Sequence, residues 1–110
     1  MLRIRLVLMV LMVLLVLASA NGAAASVWVA EMDAMEAAVQ SRDWQRAVQA
    51  GSKAVLEAEA IGKDSAQLAF TLNEVARMHV QVGTPEIAVK FLERLLRMME
   101  KELGPRHASV

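Results

Sequence analysis

Cysteine is absent from this 110-residue chain, which excludes disulfides, thiolate metal sites and thiol nucleophiles. Tyrosine is also missing, and the aromatics are two Phe and two Trp. A core must therefore be assembled from Ala, Leu, Val and Met. Neither sign of charge is in excess, with twelve Lys and Arg against twelve Asp and Glu. A nucleic-acid or anionic-membrane surface needs a basic excess, so neither is expected as a partner of the body of the chain. The sequence carries no Gly-x-Ser-x-Gly, no His-Glu-x-x-His and no glycine-rich phosphate loop. These absences point away from an enzyme, and no cofactor or metal is expected.

What is present begins at the amino end. Met1-Leu2-Arg3-Ile4-Arg5 is basic, Leu6 to Leu17 is apolar throughout, and Ala18-Ser19-Ala20 places small residues at alternate positions. That order describes a secretory signal peptide over residues 1–20. Ala23-Ala24-Ala25 offers a second cut point, and a signal anchor reaching about residue 25 is the competing reading. The apolar run alone is shorter than the ~20 residues that span a bilayer. Export to a secreted or periplasmic location is the expectation, with membrane attachment by residues 6–25 as its alternative. Without Arg3 and Arg5 the remainder holds ten basic and twelve acidic residues. At ~90 residues it is one small domain, stabilised by packing alone.

Beyond Ala25 the apolar spacing follows 3, 4 and 7, and Pro and Gly fall at joints, which predicts four helices. The first covers about residues 27–40, with a stripe at Val27, Ala30, Ala34, Met35 and Ala38. Asp43 N-caps the second, about residues 44–61, whose stripe is Ala47, Gly51, Ala54, Ala58 and Ile61. Gly62 is expected to end it in the left-handed conformation. Asp64 or Ser65 caps the third, about residues 66–82, with Leu68, Leu72, Val75, Ala76, His79 and Val82 inward. After Gly83, Thr84-Pro85-Glu86 supplies a capping hydroxyl, a first-position proline and a first-turn acid. The fourth helix then buries Ala88, Phe91, Leu92, Leu95 and Met99 and stops at Gly104-Pro105. Glu86 with Lys90, and Glu93 with Arg97, are expected as i,i+4 ion pairs.

The two halves superpose at a shift of 41: Asp43-Trp44-Gln45-Arg46-Ala47-Val48 on Thr84-Pro85-Glu86-Ile87-Ala88-Val89. Repeated helical hairpins at that period signal an α-solenoid. The expected fold is all-α, with two antiparallel hairpins over residues 27–62 and 65–107 behind the leader. Residues 108–110 read as the opening of a third repeat. Two units are fewer than such arrays usually need, so the carboxy-terminal flank is expected to stay apolar and uncapped. Truncation of a longer solenoid, or self-association through that flank, would account for it.

Several residues resemble a known family. Thr71-Leu72-Asn73-Glu74-Val75-Ala76, then His79, Gly83, Ala88, Leu92 and Leu95, resemble a tetratricopeptide repeat. The tail from Met99 to Val110 resembles the "E-K-x-L-G-x-x-H-P-x-V" segment of the ~42-residue subtype found in kinesin light chains, with Ala108 in place of the usual proline. The resemblance implies small residues where paired helices cross. Ala76 and Ala88 fit in the second repeat. In the first, Met35 stands where Gly or Ala is usual, and Gly51 stands where a bulky residue is usual.

The resemblance also implies a concave face that binds a peptide or partner subunit. By position it comprises Met32, Glu36 and Gln40, with Val29 and Val39, then Phe70, Asn73, Arg77, Val80 and Gln81. Asn73 and Arg77, one turn apart, would supply an amide and a guanidinium as polar anchors. A solvated helix face is the alternative for each. The expected function is an exported adaptor or scaffold performing no reaction. The alternatives are an amino-terminal regulatory segment of a larger protein and a membrane-tethered scaffold. His79 is expected as a packed, hydrogen-bonded residue, and His107 as a helix-end partner in the linker. Trp28 caps the first hairpin or anchors at a membrane interface.

Overall fold

The computed structural model describes residues 2–17 and 19–103. Ala18 of the first cut point, the stop at Gly104-Pro105, the His107 linker and the opening of a third repeat lie outside the described residues. The secondary structure of the described residues is all α-helix: α1 Leu2–Leu17, α2 Ser19–Gln40, α3 Trp44–Ile61, α4 Ala66–Val82 and α5 Pro85–Leu103. None of the described helices is long and apolar enough to cross a membrane. The sixteen residues of α1 extend about 24 Å at 1.5 Å per residue, short of a ~30 Å hydrocarbon core.

From α2 onward each helix packs on its successor, and α2 also touches α4. Short turns cause this. After α2, Arg42 takes a left-handed φ of 60°. The Asp43 N–H then reaches the Ala38 carbonyl at 2.8 Å, and the Arg42 N–H reaches Val39 at 3.1 Å. Gly83, at φ 96°, builds the same turn 41 residues later. There the Thr84 N–H bonds the His79 carbonyl at 2.9 Å and the Gly83 N–H bonds Val80 at 3.2 Å. Both are Schellman closures, in which a left-handed residue satisfies the last carbonyls of the helix.

Asp43 caps α3 by accepting from the Arg46 N–H, and Ser65 caps α4 by accepting from the Leu68 N–H. Two expected caps behave otherwise. Gly62 is extended, with φ 177°, so left-handed freedom is not its reason. A Cβ there would come within 3.1 Å of Ser65 Cβ, a tight approach in the turn onto α4. Thr84 does not spend its hydroxyl on α5. Its Oγ1 lies 2.9 Å from His79 Nδ1 and 3.2 Å from the His79 carbonyl, while its backbone carbonyl accepts from Ile87 and Ala88.

The core joins α2, α3 and α4. Ala47, Ala54, Ala58, Leu68, Leu72 and Val75 are fully enclosed, with Met35, Ala38, Ala50, Val55 and Met78 around them. On α2 the inward side is set by Trp28, Met32, Met35 and Ala38, whereas Val27 and Ala30 face outward. The expected stripe there is rotated, because the large side chains claim the interior over the alanines. On α5 only Ala88 is buried, and Phe91, Leu95 and Met98 pack partly against the core. Leu92 and Met99, expected inward, are largely exposed.

Ion pairs among the described residues join Arg77 to Glu74, Arg94 to Glu59 at 2.8 Å, and Lys101 to Asp64 at 3.2 Å. The i,i+4 pairs expected on α5 are not among them. Arg94 and Lys101 instead reach across to Glu59 of α3 and to Asp64 in the turn after it.

Candidate groove between α2 and α4

One groove of about 540 Å³ lies between α2 and α4. Its apolar lining is Met32, Met35, Val39, Phe70 and Met78, and its polar lining is Asp33, Glu36, Gln40, Glu74, Arg77 and Gln81. Six of the eight residues expected on a concave face therefore share this one depression: Met32, Glu36, Gln40, Phe70, Arg77 and Gln81. Asn73 and Val80 are exposed and do not line it. Helical geometry accounts for the difference. Relative to Phe70, steps of four and seven keep Glu74 and Arg77 near the groove, whereas a step of three turns Asn73 about 60° away.

Of the expected anchors Asn73 and Arg77, only Arg77 lines this depression. Arg77 lies against Glu74, 3.5 Å from its Oε1, and the amide of Asn73 stands apart. Three carboxylates, on Asp33, Glu36 and Glu74, face one guanidinium in the lining. The groove is acidic at its rim and soft at its floor. Thioether side chains repack at little cost, so a floor holding Met32, Met35 and Met78 adapts to what lies on it.

One end of the groove is fixed by a polar link that sequence reasoning missed. Trp28 Nε1 donates to Thr71 Oγ1 at 2.7 Å. Thr71 is fully buried and donates onward to the Gln67 carbonyl at 2.6 Å. The indole also meets Phe70 edge-on, with centroids 6.4 Å apart and planes at 78°. Trp28 thus ties α2 to α4 and props Phe70, instead of capping the first hairpin. A threonine on the core stripe of α4 was the only signal available.

His79 stands on the far side of α4 from this opening. It is buried, with Nδ1 2.9 Å from Thr84 Oγ1 and its ring stacked on Phe91 at 5.5 Å. Burial pushes its pKa below the ordinary histidine value, and the nearby Glu86 carboxylate pulls it partly back. Among the described residues no three His, Asp or Glu side chains cluster as metal ligands do. Compared with known proteins, the chain matches no family model, no curated protein and no solved structure.

Proposed function

We propose that the chain is a tetratricopeptide-like interaction module, an α-solenoid segment carried behind an export leader. Its α2–α4 groove docks a peptide segment of a partner protein and performs no reaction. The 41-residue correspondence supports the repeat architecture, since the Schellman turns at Arg42 and Gly83 and the starts of α3 and α5 recur at that spacing. The groove carries the functional reading: an apolar, methionine-rich floor flanked by unbalanced carboxylates.

The charge selects the partner. An acidic chain end would meet Asp33, Glu36 and Glu74 with only Arg77 to receive it. A segment alternating apolar and basic side chains meets the floor with its apolar members and the rim with its cations. Charge complementarity of this kind governs association rate and partner choice more than raw affinity. The basic leader and apolar run at residues 1–20 support export, with residues 6–25 retained as an anchor in the alternative.

The test is fluorescence anisotropy of the full chain with two labelled helical peptides of about fifteen residues, one of Leu and Lys and one of Leu and Glu. The Lys peptide is expected to bind more tightly. Glu36→Lys combined with Asp33→Lys should weaken it by about tenfold or more, consistent with two interfacial charge contacts reversed. Equal binding of both peptides, or binding indifferent to the double variant, overturns the reading.

A further inference from the structure

The outer face of α5 carries Leu92, Leu96 and Met99 at 43%, 55% and 48% exposure. Val89 and Leu103 extend the row to a 3-4-3-4 spacing, the seam by which one helix packs along another. The internal repeat says what such a face is for. Subtracting 41 maps Leu92, Leu96 and Met99 onto Gly51, Val55 and Ala58 of α3. All three of those are buried. At Gly51 the cover comes partly from α4, since a Cβ there would lie 3.6 Å from Val75 Cγ2 and 2.8 Å from Met78 Cε. A helix standing to α5 as α4 stands to α3 would close the open face.

The same subtraction identifies that helix within this chain. Leu68, Thr71, Val75 and Met78 of α4 map onto Val27, Ala30, Ala34 and Ala37 of α2. Of these, Val27, Ala30 and Ala37 are exposed and Ala34 is half-exposed. Val27, Ala30 and Ala37 form a smooth outer face, with Ala34 at its edge packed partly against the core. The sizes are reciprocal. Inside the chain, small residues on α3 receive large ones from α4. Between copies, large residues on α5 would meet small ones on α2.

Charge agrees with size. Glu59 of α3 is held by Arg94 of α5 at 2.8 Å. By the same shift Glu59 corresponds to Glu100 and Arg94 to Lys53, and both Lys53 and Glu100 are exposed. A second copy set at the repeat spacing brings its Lys53 to Glu100 of the first.

We propose that the α5 face of one copy docks the α2 face of a second copy, head to tail, continuing the repeat from chain to chain. The contact is heterologous, so it propagates unless its rotation closes a ring. It does not depend on what occupies the groove.

Absence of native cysteine makes the test direct. Full-length Lys53→Cys and Glu100→Cys chains, mixed in mild detergent with a short bismaleimide cross-linker that spans more than a disulfide does, should give mainly the mixed dimer. Neither variant alone should cross-link comparably. In sedimentation, Lys53→Glu or Glu100→Lys should each weaken association by about fivefold, as loss of one exposed ion pair allows. The two reversals in one chain should restore it. Cross-linking of like with like at equal yield, no cross-linking at all, or association through α1 that ignores both reversals would overturn the proposal. Helical circular dichroism of each exposed-site variant verifies that the fold persists.

Discussion

Exchanging Met35 and Gly51 for their counterparts in the second repeat tests how the helices cross. A shift of 41 pairs Met35 with Ala76 and Gly51 with Leu92. One repeat therefore places the large side chain on its first helix, and the other places it on its second. The structure shows the compensation. Met35 Sδ lies 3.2 Å from where a Gly51 Cβ would stand, and Met78 Cε lies 2.8 Å from it. The thioether occupies the room that the glycine leaves.

Magnitudes follow from that contact. Met35 is 5% exposed, and burial of that order makes Met→Ala cost about 2–5 kcal/mol. The neighbouring site has no side chain to collapse into the hole, so Met35→Ala should fall in the middle of that range, about 3 kcal/mol. Gly51→Leu gains roughly 0.8 kcal/mol of helix propensity. It also drives its Cγ and Cδ atoms into Met35, an overpacking cost of about 1–3 kcal/mol or more. Met35→Ala opens room for part of the added leucine, while Met78 Cε still stands in its way. Coupling of at least about 2 kcal/mol is expected, in the range measured for touching residues. Urea and thermal melts of the four chains supply the cycle, and about 1 kcal/mol moves the midpoint by roughly 4–8 °C in a domain of this size. Strict additivity would refute the idea that one side chain fills the other's place.

Thr71→Val should destabilise the chain by about 1–3 kcal/mol, because it leaves the Trp28 N–H without the acceptor now 2.7 Å away. Adding Trp28→Phe should recover part of that loss in the same melts. For His79, the folded pKa lies below the unfolded value, so the unfolded chain binds the proton more readily and stability rises with pH. The contribution is complete above about pH 6.5 and is lost as the pH falls through the lower folded value. His79→Gln should therefore flatten the melting-temperature difference between pH 7.5 and 5.5, and an unchanged slope would contradict a buried neutral imidazole.

Alternating apolar positions on α3 and α4 were legible because their periodicity is unopposed, and Ala47, Ala54, Ala58, Leu68, Leu72 and Val75 sit inward as their spacing requires. On α2, Met35 and Ala38 sit inward as expected, whereas Val27 and Ala30 yield the interior to the larger Trp28 and Met32. The turn at Ser41-Arg42-Asp43 was legible, but the left-handed conformation of Arg42 within it was not. A left-handed residue that is not glycine costs about 1–2 kcal/mol, so no sequence rule would place one there. The cost is met by the two hydrogen bonds closing α2 and by Asp43 starting α3 beside it. In the groove, Met32, Glu36, Gln40, Phe70, Arg77 and Gln81 were found by position. Glu74, Asp33, Met35 and Met78 were not, because the positions carried over from the resemblance centre on Asn73, about 60° from Phe70 around α4.

Bulk differs between the positions that a shift of 41 pairs: Met35 lies against Gly51, while Ala76 and Leu92 stand at the corresponding places. Moving the large residue onto α5 has a consequence beyond its own hairpin. Had the second repeat kept the arrangement of the first, position 92 would carry a glycine and the outer face of α5 would lose its widest apolar residue at that point. Leu92 instead leaves 43% of its surface open, in register with Leu96 and Met99, on a side that the described residues leave uncovered. Exposing such a row is unfavourable at about 25 cal/mol per Å² of apolar surface. A change that only repacked the hairpin interior would not require it. The asymmetry between the two crossings is therefore most economically explained by a surface outside the hairpin, and Leu92→Gly should impair association of copies more than it impairs the melting of a single one. A variant that melts early yet still associates as tightly would show that Leu92 serves its own hairpin alone.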